Sequence, residues 1–225
     1  HVITARPIHE AVGRLLDHLP PRLHLVILTR ADPPLPLARL RASGQMVEVR
    51  AEDLRFSPAE VATLLAPAIA AGLTDAEVTG LAERTEGWIA GLQLAALALR
   101  DREDPRAFVR TFSGSDRFVI DYLATEVLAR QPAEVQAFLH RTSILDRLCG
   151  DLADAVLGST AGAPGVPSGR QALHALEQAN LFVIPLDDRR EWYRYHHLFR
   201  DVLRQRLTQD ATQVEIARLH ERASA

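Results

Sequence analysis

The sequence predicts a mainly α protein with a small α/β portion at its start. Three observations lead there. Apolar residues recur at helical spacing over most of the chain. Two short apolar runs, residues 23–28 and 46–50, alternate with helical stretches in the order of a parallel α/β sheet. A later block of helices closes on two strand-like runs around a charged turn, the order of a winged helix.

Taken in order, residues 8–19 place Ile8, Val12, Leu15, Leu16 and Leu19 on one helical face, and Pro20-Pro21 ends the helix. Residues 23–28 read as a buried strand, because the run is short, apolar and bounded by turn signals. Asp32-Pro33-Pro34 is a turn, residues 36–42 a short helix closed by Gly44, and residues 46–50 a second strand. Two parallel strands do not make a stable sheet alone, so residues 1–52 read as the tail of a larger α/β domain. Their unpaired edge is expected to be labile or to associate with a second copy.

Residues 53–114 read as a helical bundle. Ser57-Pro58-Ala59-Glu60 and Thr74-Asp75-Ala76-Glu77 are capping boxes that launch helices over 61–71 and 78–85. Further helices are predicted over 88–100 and 105–112, joined by loops of a few residues.

Residues 115–209 contain helices over 118–130, 132–141 and 171–178, with a Gly/Ala/Pro/Ser-rich loop over 158–169. A strand over 181–186, the turn Asp187-Asp188-Arg189-Arg190 and a returning strand over 191–195 complete the winged-helix order. Residues 210–225 start another helical region, apolar at Ile216 and Leu219.

Composition narrows the function. The net charge is −3, so nothing draws the whole chain to nucleic acid or an anionic membrane. All 26 cationic side chains are arginine, which reads as coding bias. The single cysteine, Cys149, excludes an internal disulfide framework and any Cys-rich zinc site, and fits a reduced cytoplasm. The longest apolar run, residues 92–99, is far short of a membrane span.

No Gly-rich phosphate loop, His-Glu-x-x-His, Gly-x-Ser-x-Gly or Cys-x-x-Cys stands in the chain, so a self-contained catalytic site is not expected. His196-His197, with His174 or His220, invites a metal reading, but adjacent helical histidines point about 100° apart. The stretch "AAGLTDAEVTGLAERTEGW" resembles a helix-turn-helix. Its second helix carries Asp75, Glu77 and Glu83 against Arg84, which phosphates would repel, so a bundle helix is the better reading.

Four phrases, "LHLVILTRADPPLPLARLRASGQMVEVRAEDLRFSPAEV", "RTEGWIAGLQLAALALR", "FLHRTSILDRLCGDLADAV" and "LEQANLFVIPLDDRREWYRYHHLFRDVLRQRL", stand in order between Leu23 and Leu207. They resemble the central module of the large LuxR-type, MalT-like transcriptional regulators. These are signal-transducing ATPases with numerous domains, related to the NB-ARC and NACHT switch proteins. The resemblance implies a P-loop α/β domain of which residues 1–52 are the C-terminal part, a helical arm domain over 53–114, a winged helix over 115–209, and the entry to a sensor region over 210–225. It implies a switch in which ATP with an inducer favours an open, self-associating, transcription-activating state and ADP a closed one.

In that reading Thr29-Arg30 matches the sensor pair at a strand end, with Arg30 placed to meet the γ-phosphate. The alternative is that Arg30 solvates a strand end and pairs with Asp32. Gly87-Trp88 corresponds to a motif that in relatives reads Gly-x-Pro near the base and ribose. No proline follows Gly87, so Trp88 reads equally as core. His196, at a helix start that favours an anion, matches the winged-helix histidine that contacts the β-phosphate of ADP. The alternatives are a capped, half-buried histidine, or His197 in its place.

The family's Walker A loop and the body of its Walker B motif are absent; His1 matches the last residue of Asp-Asp-Tyr-His. The chain thus reads as a segment of a longer regulator, lacking the Lys and Asp that hold phosphate and Mg²⁺. It is expected neither to hydrolyse ATP nor to bind it tightly. ATP or ADP with Mg belongs to the full-length protein, and the expected partners are the P-loop domain, sensor repeats and LuxR-type helix-turn-helix of the same chain. No direct nucleic-acid or membrane contact is expected. A second reading, a stand-alone winged-helix DNA-binding protein, would use Arg189, Arg190, Arg194, Arg200 and Arg204.

Overall fold

The computed structural model describes residue 3 and residues 5–70, 72–99, 104–158 and 167–224. Helix α1 (Arg6–Asp17) is followed by an extended stretch, α2 (Leu37–Ala42) and a second extended stretch. Residues 23–28 and 46–50 are not strands: they are irregular, and Val26 is 78%, Leu28 93% and Val47 92% exposed. A strand exists only through a hydrogen-bonded neighbour. Among the described residues the one sheet lies far downstream, so these apolar runs have nothing to pair with.

Helices α3 (Pro58–Leu64), α4 (Ala66–Ala70), α5 (Asp75–Thr85), α6 (Ile89–Leu99) and α7 (Pro105–Thr111) form the helical block. Both expected capping boxes are formed: Ser57 with Glu60, and Thr74 with Glu77. The helix expected over 61–71 breaks at Leu65, and Ala71 and Arg100 lie outside the described residues. Helix α5 buries Val78, Leu81, Ala82 and Thr85, which makes it a bundle helix rather than a recognition helix.

Helix α8 (Arg117–Tyr122) continues through a π-helical turn (Leu123–Val127) and a 3₁₀ turn (Leu128–Arg130), where one regular helix is expected from the pattern. Helices α9 (Ala133–Thr142), α10 (Gly150–Leu157) and α11 (Gly169–Gln178) follow; residues 159–166, in the expected loop, lie outside the described residues. Strands β1 (Val183–Pro185) and β2 (Tyr193–Tyr195) form the antiparallel wing, with Ile184 opposite Arg194. Helix α12 (His197–Asp210) and α13 (Gln213–Ser224) close the described chain.

Alternation along β2 decides what faces where. Tyr193 and Tyr195 are buried, at 2% and 1% exposure, so Arg194 between them points the other way. The buried Tyr195 hydroxyl is satisfied by Thr142 Oγ1 at 2.7 Å. One apolar cluster runs without interruption from Val61, Leu81 and Leu92 of the helical block to Leu139, Phe199 and Val202 of the winged helix. Burying each such side chain is worth about 1.5–3 kcal/mol, so the two blocks are fused by their core. A smaller cluster of Val156, Leu207 and Leu219 seats α13.

Candidate functional site at the junction of helical block and winged helix

Of the residues singled out in the sequence, Gly87, Trp88 and His196 fall on one junction, organised by the turn that ends α5. Glu86 is the C-cap residue at φ 51° and Gly87 follows at φ 69°. Two left-handed residues in succession turn the chain into α6; the second must be glycine, because a Cβ there would meet the Phe56 carbonyl oxygen at 2.6 Å. The Gly87 carbonyl accepts a hydrogen bond from the Phe56 N–H at 2.9 Å.

The turn delivers Trp88 edge-on to Phe182, with ring centroids 5.1 Å apart, and to His196 at 5.9 Å; Tyr122 lies at 5.7 Å. Phe182 packs against His196 in turn, at 5.7 Å. Trp88 is thus part of an aromatic cluster around the histidine, as its core reading anticipates. Phe182 holds φ 57° and Asn180 φ 52°, so three of the four described non-glycine residues with positive φ (Glu86, Asn180 and Phe182) converge here. Such conformations cost on the order of 1–3 kcal/mol each and cluster at switches and ligand clamps. The fourth, Arg190, is at the wing tip.

Of the two adjacent histidines, His196 faces inward. It is 4% exposed, while the His197 side chain is 49% exposed. His196 is the N-cap of α12, its N–H donates to the Phe182 carbonyl at 2.8 Å, and its Nε2 meets the Thr85 carbonyl at 2.9 Å. A carbonyl can only accept, so Nε2 carries the proton. Burial holds the imidazole below its ordinary pKa, against the pull of Glu86, and leaves Nδ1 as a buried lone pair with no hydrogen-bond partner. In this arrangement neither ring nitrogen is available to donate to a phosphate.

The start of α12 is met by a carboxylate of the chain itself. Glu86, whose side chain is 7% exposed, accepts from the His197 backbone N–H at 3.1 Å and from both terminal nitrogens of Arg194 at 2.8 Å. Arg55 approaches to 3.6 Å and His197 Nδ1 to 3.5 Å. Burial opposes ionisation of Glu86, but the Arg194 pair, His196 and the His197 N–H outweigh it and hold the carboxyl at about 2. The same pair raises Arg194 above its ordinary value. Glu86, Arg194, Phe182 and Asn180 are the residues sequence reading missed. A Glu where a helix ends on Gly87 is the one local signal that could have marked the turn.

Thr29 and Arg30 lie on the exposed stretch leading to α2, not at a strand end. The Thr29 hydroxyl donates to the Ala31 carbonyl at 2.7 Å, and the Arg30 carbonyl accepts from Asn180 Nδ2 at 2.7 Å. Asp32 does not serve Arg30: Arg50 holds it, at 2.5 and 3.3 Å. Thr29-Arg30 is therefore brought to the junction through its backbone, by way of the Asn180 turn. His174 and His220 are not brought to His196, and among the described residues no three His, Cys, Asp or Glu side chains converge on a metal-binding arrangement. No helix among them is long and apolar enough to cross a membrane.

This architecture, a wing and its helices fused to a helical block, is that of a winged-helix module, and residues 124–215 match the family described as the MalT winged helix domain. Over all 225 residues the chain is 35% identical to the serine/threonine-protein kinase PknK of Mycobacterium tuberculosis, and over 226 aligned residues it is 33% identical to the HTH-type transcriptional regulators MalT of Serratia proteamaculans and Yersinia enterocolitica. All of this chain is matched, but it spans only 20% of the kinase and 24% of the regulators.

Proposed function

We propose that this chain is a nucleotide-switch segment of an ATP-dependent, inducer-responsive transcriptional regulator of the MalT type, working in the cytoplasm. The observation that carries the reading is the buried His196 at the start of α12. It is clamped between Trp88 and Phe182, with the backbone of Thr29-Arg30 tied to the same turn. The full-coverage likeness to the MalT regulators supports it. The shared segment in the kinase relative fits the same role, since no kinase signature (Gly-rich loop, His-Arg-Asp or Asp-Phe-Gly) stands in the 225 residues.

In this reading the phosphate loop and the Mg²⁺ ligand belong to the remainder of the regulator, and this segment is not itself an enzyme. ATP or ADP with Mg binds between that part and this one. Arg30 senses the γ-phosphate, Gly87 and Trp88 border the base, and His196 reads the β-phosphate. For His196 to donate, its Nε2 must leave the Thr85 carbonyl or its Nδ1 must gain a proton, so the arrangement described is a resting one. The sensor repeats, the LuxR-type helix-turn-helix and a second copy in the open state are its partners; this segment makes no direct contact with nucleic acid.

Calorimetric titration of ATP and ADP tests this, on the 225-residue chain and on a protein extended upstream by about 130 residues, roughly one α/β domain. Tight binding by the extended protein alone is expected, with His196→Ala weakening ADP and Arg30→Ala erasing the distinction between ATP and ADP. Tight binding by the 225 residues alone, or none by the extended protein, would overturn the reading.

A further inference from the structure

His196 is a buried titratable group with one idle nitrogen. Its Nε2 holds the Thr85 carbonyl at 2.9 Å, and its Nδ1 is buried with no hydrogen-bond partner. The charged groups around the ring come from four places in the fold. Glu86 follows Thr85 at the end of α5, Arg55 stands ahead of α3, Arg194 lies on β2 and His197 opens α12. Trp88 and Phe182, the rings packed edge-on against the imidazole, carry no charge.

Glu86 is the one anion among them, and β2 holds it. Arg194 grips the carboxylate with two hydrogen bonds of 2.8 Å, and its Nη1 also donates to the Tyr195 carbonyl at 3.3 Å, on the residue just before His196. The guanidinium is thus fixed both to the carboxylate and to the backbone entering the histidine. Burial keeps the ring neutral; Glu86 pulls it toward the charged form, while Arg55 and His197 push against that form. With Arg194 and Arg55 both facing Glu86, a proton on His196 would be a third positive charge against one carboxylate. Without Arg194 it would be the second, beside a buried carboxylate that has lost its main partner.

We infer that the Arg194–Glu86 pair is a charge gate on His196: while β2 holds Glu86 the imidazole stays neutral, and when Arg194 leaves the carboxylate the imidazole takes a proton from water onto Nδ1. The step turns an idle lone pair into a second N–H donor while Nε2 keeps its bond to Thr85. Arg194 thereby acts on the histidine through Glu86. The functional consequence rests on the nucleotide reading above: loss of the pair arms His196 to donate to a phosphate, and the intact pair disarms it. The gate itself needs no nucleotide.

Magnetic resonance titration of the histidine rings in the nucleotide-free chain tests it, with His196→Gln assigning the signal. Arg194→Gln is expected to raise the His196 midpoint by about one pH unit, with the new proton on Nδ1 seen in the ring nitrogen shifts. Glu86→Gln removes the anion and is expected to lower the midpoint. Opposite movement by the two partners of one pair is what a merely structural role does not give, because loosening the junction would hydrate the ring and raise its midpoint in both variants. Arg194→Lys, which keeps the charge, is expected to leave the midpoint close to that of the wild type. His140 of α9, partly buried and facing Asp210 and Arg206, reports general loosening and is expected to stay where it is. Midpoints that move the same way in Arg194→Gln and Glu86→Gln, or in neither, would overturn the gate. Should either fail to fold, Arg55→Gln decides: a smaller rise supports the gate, and no change or a fall overturns it. Because no nucleotide is present, this titration and the calorimetric one fail independently.

Discussion

Arg194 on the wing and Glu86 at the end of α5, 108 residues apart in sequence, form a bidentate pair with both hydrogen bonds at 2.8 Å. Glu86 also caps α12 through the His197 N–H. Glu86 thereby ends α5 through its left-handed backbone and meets the start of α12 through its carboxylate, an arrangement in which the α12 dipole and Arg194 both favour the anion. The turn that carries Glu86 also delivers Trp88 to His196, so the electrostatics and the aromatic cluster of the junction are set by the same three residues.

Acid is expected to loosen this junction. The folded-state pKa of Glu86 lies at about 2 against an ordinary 4.5, so its stabilisation is complete above pH 4.5 and is lost as pH falls toward 2. A loss on the order of 3 kcal/mol over that window is expected in urea titrations, and Glu86→Gln should flatten it. His196 acts in the same direction at higher pH. Its pKa is depressed below the ordinary 6.5, so the unfolded chain takes up the proton first and stability declines as pH drops below that value. His196→Gln should remove this upper portion of the slope; a slope that survives the substitution would assign it to another group.

Gly87 and Gly44 make a controlled pair. Both hold positive φ, 69° and 66°, but a Cβ on Gly87 meets backbone of Phe56 whereas Gly44 has nothing within 4 Å. Gly44→Ala should cost about 1 kcal/mol, the conformational penalty alone. Gly87→Ala should cost at least about 1 kcal/mol more, because the Phe56 anchor must shift. Equal midpoints in denaturant titration would show that the close approach at Phe56 is not tight.

DNA binding is expected to be weak and non-specific. Of the arginines that a DNA-reading wing would use, Arg194 is bound to Glu86, Arg200 and Arg204 converge on Asp146 at 3.2 and 3.0 Å, and Arg190 lies 3.2 Å from Glu177. Arg204 also donates to the Ser143 carbonyl at 2.7 Å. Duplex binding measured from about 50 to 200 mM salt should show no steep dependence; a log–log slope of several would mean these side chains reach phosphates after all.

What was legible in the sequence follows from how local each signal is. The capping boxes at Ser57 and Thr74 lie within four residues of their partners and are formed as read. The wing was legible because alternation around a charged turn is also local, though its strands are three residues each where five or six are suggested by the pattern. Residues 23–28 misled because an apolar run specifies a strand only when a neighbour exists to pair with it. His196 was singled out through the family resemblance, but what it touches was not legible, because its partner Thr85 lies 111 residues away. Glu86 escaped for the same reason: in sequence it merely separates two helices, and nothing local announces Arg194.

The most direct test of the junction is a double-mutant cycle on Glu86 and Arg194. Urea unfolding of the wild type, Glu86→Ala, Arg194→Ala and the double variant isolates the coupling between them. A coupling of about 2–3 kcal/mol is expected, with each single change nearly as costly as both together, because either leaves a charge without its partner. A coupling below about 0.5 kcal/mol would contradict the view that this pair locks the turn bearing Trp88 to the start of α12.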